Sequence, residues 1–230
     1  IMANNCYDAT GVLLLDRVTP VITALFGGFN LDEAYPGHGE AYIARISEDN
    51  DPQWSDIRDN LAELANERGT TFQEDVEPNI EACLEALAKH FHAEDNEGLE
   101  HLIEHHSFED AADLEALFLI ATCFDDGHGL SAIRFEGCWH CSKPRLFEFG
   151  GDGLFISQNV TVYSSSTRAL ELGRDLHKAI QAGDLDEAAT RIALETVSLL
   201  AGIGDDATGT SLRLRLAERL LESSTSHRSA

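Results

Sequence analysis

The sequence brings two cysteines and a histidine together in one short stretch, Cys138-Trp139-His140-Cys141. Two cysteines at this spacing can supply half of a tetrahedral zinc site if the chain turns tightly between them. Cys123 and His128 are the best candidates for the other two ligands, since a helix-to-strand turn would place them near the same strand. These four residues define a predicted structural zinc site. The alternative is a regular strand, in which residues 138 and 141 point to opposite faces.

The same stretch resembles the Cys-x-His-Cys pattern of thiol–disulfide oxidoreductases, because His140 directly precedes Cys141. The resemblance implies a reactive thiolate that is stabilised by the imidazole and by a helix N-terminus. Those proteins begin a helix at the first cysteine, whereas strand-like sequence with Pro144 follows here. The local sequence therefore favours two structural thiols over a redox pair.

A second candidate set is His101-Leu102-Ile103-Glu104-His105, whose two histidines share a face if the segment is helical. The spacing resembles the HxxEH motif of pitrilysin-type metallopeptidases, and Gly98 and Phe108 fit the local pattern of that family. The resemblance implies zinc bound by His101 and His105, Glu104 as the general base, and a third ligand from a later helix. The alternatives are adventitious metal binding, or a solvated face that becomes charged at mildly acidic pH.

Charge is the outstanding compositional feature, with 41 Asp and Glu against 16 Lys and Arg and a net charge of −25. Residues 74–115 hold fourteen acidic residues and one lysine. Such a field repels the phosphate backbone, so we expect no direct binding to nucleic acid. The acidic segment has three interpretations: a solvated helical face, a docking surface for a basic protein that includes mimicry of nucleic acid, or adaptation to high salt.

Hydrophobic periodicity predicts an α+β fold in which antiparallel β-meanders pack against helices. The predicted strands are residues 12–18, 20–29, 40–47, 130–141, 145–149 and 154–163, with a turn at Gly150-Gly151-Asp152-Gly153. The predicted helices begin near residues 52, 76, 96, 109, 164, 185 and 210. The fourth helix contains Leu-Phe-Leu-Ile, a run that is equally compatible with a buried strand.

The order of the elements suggests two similar β-then-α subdomains, residues 1–107 and 108–204, followed by a linker and a helix over residues 205–230. A degenerate internal duplication and a chance similarity both remain open. Leu212, Leu216 and Leu220 form one stripe of the last helix. This stripe predicts either a homodimer contact or docking onto the rest of the chain.

No apolar run approaches eighteen residues, and five cysteines fit reduced thiols better than a disulfide framework, so we expect a cytoplasmic protein that does not cross a membrane. The sequence shows no consistent set of candidate catalytic residues. We therefore expect a non-enzymatic accessory or regulatory protein that acts through protein contacts. The alternatives are a zinc-dependent enzyme that uses one of the two metal sets, and an inhibitor that mimics nucleic acid.

Overall fold

A computed structural model describes residues 5–47, 49–70, 72, 78–141, 143, 146 and 148–226. These residues form an α+β protein with eight α-helices and six strands in one antiparallel sheet, which confirms the predicted fold class. The chain divides into two compact units, residues 1–156 and 157–230. The predicted boundary between two subdomains at residue 107 lies within the first unit. The internal duplication of a β-then-α subdomain stays a prediction.

The first unit is built on the central strand β1 (Asn5–Leu14), which lies between β3 (Glu40–Ile46) and β4 (Ala132–Cys141). The short strand β2 (Asp32–Pro36) pairs with β3, and β5 (Gly150–Ser157) follows β4 in the sheet order. The pairing of β1 with β4 joins residues that are 118 to 136 positions apart. Two segments at opposite ends of this unit therefore share one stretch of sheet.

Five helices complete the first unit: α1 (Pro20–Phe26), α2 (Trp54–Glu67), α3 (Ile80–Phe91), α4 (Glu97–His105) and α5 (Leu114–Cys123). Apolar side chains on one face of the sheet, among them Leu13, Ile43 and Ile133, pack with these helices in a single core. Gly11 of β1 lies against the Phe135 ring and the Arg134 carbonyl, so the centre of the sheet has no room for a larger residue there.

The predicted strand over residues 20–29 is wrong, because the segment forms α1 and a short 3₁₀ helix at Gly27–Phe29. Thr19 caps α1 by accepting a hydrogen bond from the Ile22 N–H, and Pro20 occupies its first turn. Val21, Ile22, Leu25 and Phe26 are all buried. Thr23 is the only polar residue of this short helix, so its sequence has nearly the same continuous apolar pattern as a buried strand.

The predicted turn at residues 150–153 is also wrong, because these residues begin β5. A Cβ on Gly150 would collide with the indole ring of Trp139, and a Cβ on Gly151 would lie 3.2 Å from the Gly137 carbonyl. Gly150 thus leaves room for an indole ring and Gly151 for a neighbouring carbonyl, and neither forms a turn. Of the strand predicted over residues 145–149, residues 145 and 147 lie outside the described residues and Leu146 lies in a turn.

The second unit contains β6 (Thr161–Ser165) and three helices, α6 (Ser166–Gln181), α7 (Leu185–Ala201) and α8 (Asp206–Ser226). Ser165 caps α6 through the Arg168 N–H, and Asp184 caps α7 through the Glu187 N–H. Within the described residues, no helix combines the length and the apolar character that a membrane crossing requires.

Candidate functional site

The predicted cysteine site lies on β4, which continues without interruption through Cys141. Cys138 pairs across the sheet with Asp8 and is exposed, whereas Cys141 pairs with Asn5 and is buried. An odd separation along a regular strand places two side chains on opposite faces. The chain therefore makes no tight turn between the two cysteines.

His128 is 2% exposed, and both of its ring nitrogens are engaged. Nδ1 accepts a hydrogen bond from the Leu130 N–H at 2.8 Å, so Nε2 carries the proton and donates to the Ala121 carbonyl at 3.0 Å. This neutral imidazole links the last turns of α5 to the segment that leads into β4. The lone pair of Nδ1 accepts this backbone hydrogen bond and is therefore not free to bind a metal ion.

Cys123, the fourth member of the predicted set, is half-buried near the end of α5. Burial raises the pKa of its thiol to about 11, which keeps the sulfur protonated at neutral pH. Among the residues that the structure describes, no three His, Cys, Asp or Glu side chains form a group that could hold a metal ion. All four predicted ligands are described, and the structure does not bring them together.

The outer face of the sheet holds a cluster that the sequence did not reveal. Cys6 lies opposite His140, and Asp8 lies opposite Cys138, so four polar or thiol side chains share neighbouring positions on one face. The Asp8 carboxylate accepts hydrogen bonds from the Ser47 N–H and hydroxyl, both at 3.0 Å. These bonds, with a smaller contribution from His140, lower the pKa of Asp8 and turn the carboxylate toward Ser47.

The second predicted set lies on α4, where His101 and His105 are exposed and stack with ring centroids 4.3 Å apart. The Nδ1–H of His105 donates to the His101 carbonyl at 3.0 Å, which leaves its Nε2 directed away from the backbone. Glu104 is also exposed. The structure thus confirms the shared helical face, but it supplies no third ligand from the part of the chain that it describes.

One concave surface is a groove lined by residues of α3, of α4 and of the turn between them, with a volume of 260 Å³. Its floor is apolar and its rim carries four glutamates and one lysine. The floor residues are Ala88, Ala93, Leu99 and Ile103, and the rim residues are Glu85, Lys89, Glu94, Glu100 and Glu104. We refer to these nine residues as the acidic groove.

Two helix caps fix the walls of the acidic groove. Asn79 accepts from the Ala82 N–H at the start of α3, and Asn96 accepts from the Leu99 N–H at the start of α4. Between the helices, His92 adopts a left-handed conformation at the C-cap of α3 and the Ala93 N–H donates to the Ala88 carbonyl at 2.9 Å. The turn between the two helices is therefore hydrogen-bonded to the end of α3.

The electrostatics of the groove follow from the charge of the first unit. This unit holds 31 of the acidic residues and eight of the basic ones, a net charge of −23, whereas the second unit has ten and eight. All four rim glutamates are exposed. The negative field attracts cationic groups, and the apolar floor then provides a hydrophobic contact for their neighbours.

Comparisons with known proteins do not assign this chain to a family. No protein-family model, no curated protein and no solved structure matches it.

Proposed function

We propose that this chain is a non-enzymatic accessory or regulatory protein, and that it binds a basic protein partner through the acidic groove. The observation that carries the proposal is the apolar floor of the groove inside a rim of four glutamates. Either feature alone would be ordinary for a surface. Their combination matches the two faces of an amphipathic basic segment.

The size of the groove favours a protein partner over a small-molecule ligand. Its 260 Å³ lies below the roughly 300–1,000 Å³ of pockets that enclose a drug-sized ligand. A recess of this size suits one or two apolar anchor side chains of a protein partner. Among its lining residues there is no cysteine, serine or histidine that would serve as a nucleophile or base.

The charges define the partner more closely. Glu100 and Glu104 lie one turn apart on α4, Glu85 lies on α3, and Glu94 lies in the turn between the two helices. Arginine pairs with carboxylates through a planar fork, so a partner helix with arginines beside a central leucine or phenylalanine fits this pattern. The net charge of the first unit would increase the rate of encounter with such a partner.

The nucleic-acid-mimicking inhibitor is the second candidate, and the −23 charge of the first unit favours it. It is a special form of the same proposal, in which the basic partner is itself a DNA-binding protein. The two are distinguished by competition, because only a mimic would be displaced from its partner by duplex DNA. The predicted homodimer through Leu212, Leu216 and Leu220 concerns another surface.

The proposal is tested with labelled helical peptides and the full chain. One peptide carries leucines at i, i+3 and i+7 flanked by arginines, a second has alanine for leucine, and a third has glutamate for arginine. Fluorescence anisotropy should detect binding of the first peptide only, and its affinity should fall when the salt concentration rises. Equal binding of the alanine peptide would show that charge alone drives the interaction. It would contradict the proposal that a leucine side chain binds in the groove.

Matched charge variants locate the binding surface. The groove variant combines Glu85→Gln, Glu94→Gln, Glu100→Gln and Glu104→Gln, and the control combines Glu63→Gln, Glu67→Gln, Glu109→Gln and Glu136→Gln at exposed positions elsewhere in the first unit. Exposed ion pairs contribute roughly 0.2–1 kcal/mol each, so the groove variant should bind about tenfold or more weakly. Equal losses in the two variants would overturn the assignment of the groove.

A further inference from the structure

The second unit exposes most of the large apolar side chains that the described residues leave open to solvent. Of fifteen such side chains, twelve belong to the second unit and eleven of these lie on its three helices. The eleven are Leu170, Ile180, Leu185, Ile192, Leu194, Val197, Leu199, Leu212, Leu214, Leu220 and Leu221. In contrast, its buried apolar residues are Ala179 and Ala188 among those described. The unit therefore exposes many of its leucines, whereas Leu172, Leu176, Leu200 and Leu216 are half-buried.

Helix α7 presents a regular stripe within this set. Leu185, Ile192 and Leu199 recur every seven residues and are 70%, 56% and 54% exposed. Seven residues correspond to about two helical turns, so the three side chains lie on one face of α7. A heptad stripe of leucine and isoleucine is typical of a face that packs against another helix.

Helix α8 is apolar over a wide arc. Leu212 and Leu220 lie toward one side, whereas Leu214 and Leu221 lie about half a turn away, and these four side chains are 40–71% exposed. The helix has 21 residues and is therefore about 31 Å long. A helix with leucines on two sides is typical of one that is buried in an assembly.

The charge of these helices identifies the kind of partner. The second unit carries ten acidic and eight basic residues, a net charge of −2, so a strongly charged protein gains little by approaching it. A second copy of the same unit is nearly neutral too, and it supplies the same apolar stripe. In a two-fold contact each patch meets itself, and leucines at such a contact pack without repulsion.

The exposed apolar area of the proposed contact covers about half of what a dimer needs. Full burial of one leucine or isoleucine side chain removes on the order of 100 Å² from water, so the three α7 and four α8 side chains, which are 40–71% exposed, represent on the order of 400 Å² per chain. Stable interfaces bury about 800 Å² on each partner. Residues that surround these side chains on the two helices would supply the remainder.

We infer that the second unit is a homodimerisation module, in which the α7 stripe and the leucines of α8 pack against the same helices of a second copy. The inference extends the predicted Leu212, Leu216 and Leu220 contact to α7. It does not depend on the acidic groove, which lies in the first unit, so the failure of one proposal leaves the other intact.

The test is the solution mass of the full chain, measured by sedimentation equilibrium over a range of micromolar concentrations. The wild-type protein should have twice the 25.2 kDa of one chain. A variant with Leu185→Gln, Ile192→Gln and Leu199→Gln should have the mass of one chain. Because these side chains are exposed in the single chain, the variant should keep its helical circular dichroism.

A matched control changes three exposed apolar residues of the first unit, Tyr35→Gln, Leu146→Gln and Phe149→Gln. This control should keep the mass of the dimer. A monomeric wild type would overturn the inference and assign the surface to a different partner. A dimer that survives in the α7 variant, or one that is lost in the control, would also overturn it.

Discussion

Cys138 and Cys141 lie three residues apart on one unbroken strand and point to opposite faces of the sheet, the first exposed and the second buried. The C-x-x-C spacing therefore does not produce a pair of neighbouring thiols. Because the cysteines differ in exposure, we expect them to differ in reactivity.

The first prediction concerns the order in which the cysteines react with an alkylating reagent at pH 8. Cys138 should react first because it is exposed. Burial raises the pKa of Cys83 and of Cys123 to about 11, so only about one thiol in a thousand is ionised at this pH. Peptide mass spectrometry should find these two labelled at least about a hundredfold more slowly in the folded protein. In denaturant the difference should disappear, and rapid labelling of Cys83 without denaturant would contradict the structure.

The second prediction concerns the buried imidazole of His128. The substitution His128→Ala removes both the acceptor of the Leu130 N–H and the donor to the Ala121 carbonyl. The loss of these buried hydrogen bonds should lower the free energy of unfolding by about 1–3 kcal/mol. Chemical denaturation measures the change, and His101→Ala, at an exposed position, should cost less than about 0.5 kcal/mol. Equal effects of the two substitutions would disprove a structural role for His128.

The third prediction concerns the close packing at the centre of the sheet. Gly11→Ala places a methyl group against the Phe135 ring and the Arg134 carbonyl, so it should destabilise the protein by about 1–3 kcal/mol. Gly153→Ala is the matched control in the same unit, because a Cβ there has no neighbour within 4 Å. Thermal unfolding should show a lower Tm for the first variant and little change for the second. A Tm unchanged by Gly11→Ala would be inconsistent with the register of β1 and β4.

The fourth prediction concerns the pH dependence that Asp8 contributes. Hydrogen bonds from Ser47 lower the pKa of Asp8 below its ordinary value of 3.8. The ionised form is thus favoured by folding, and its contribution is present above about pH 4 and lost as the pH falls through the lowered pKa. Asp8→Asn should reduce the Tm near pH 6, and the gap from the wild type should narrow toward pH 2. Glu136→Gln controls for the loss of one negative charge, and a gap that widens in acid would contradict the assignment.

Local sequence patterns predicted much of the secondary structure because most helices have one apolar face. The helices around Trp54, Ile80, Leu99 and Leu114 formed close to their predicted positions. The run at residues 20–26 did not reveal that it is a helix, because Thr23 is its only polar residue and one polar position creates no period. In the same way, the glycines at 150 and 151 indicated a turn, although their role is to permit the close approach of Trp139 and Gly137.

The outer-face cluster shows what local patterns cannot provide. Cys138 and His140 were visible as one motif, but Cys6 and Asp8 joined them only through the pairing of β1 with β4. That pairing depends on which distant strands become neighbours, which no local period encodes. The acidic groove is similar, since the charge of residues 74–115 was evident whereas the recess that residues of α3 and α4 line together was not.

The most direct test of the proposed function is a map of backbone amide shifts in the full chain as the arginine–leucine peptide is added. The account predicts saturable changes concentrated at Glu85, Ala88, Leu99, Ile103 and their neighbours on α3 and α4. The glutamate-substituted peptide should leave these amides unchanged. Changes that spread evenly over the acidic surface of the first unit, or that leave α3 and α4 unaffected, would contradict the central claim.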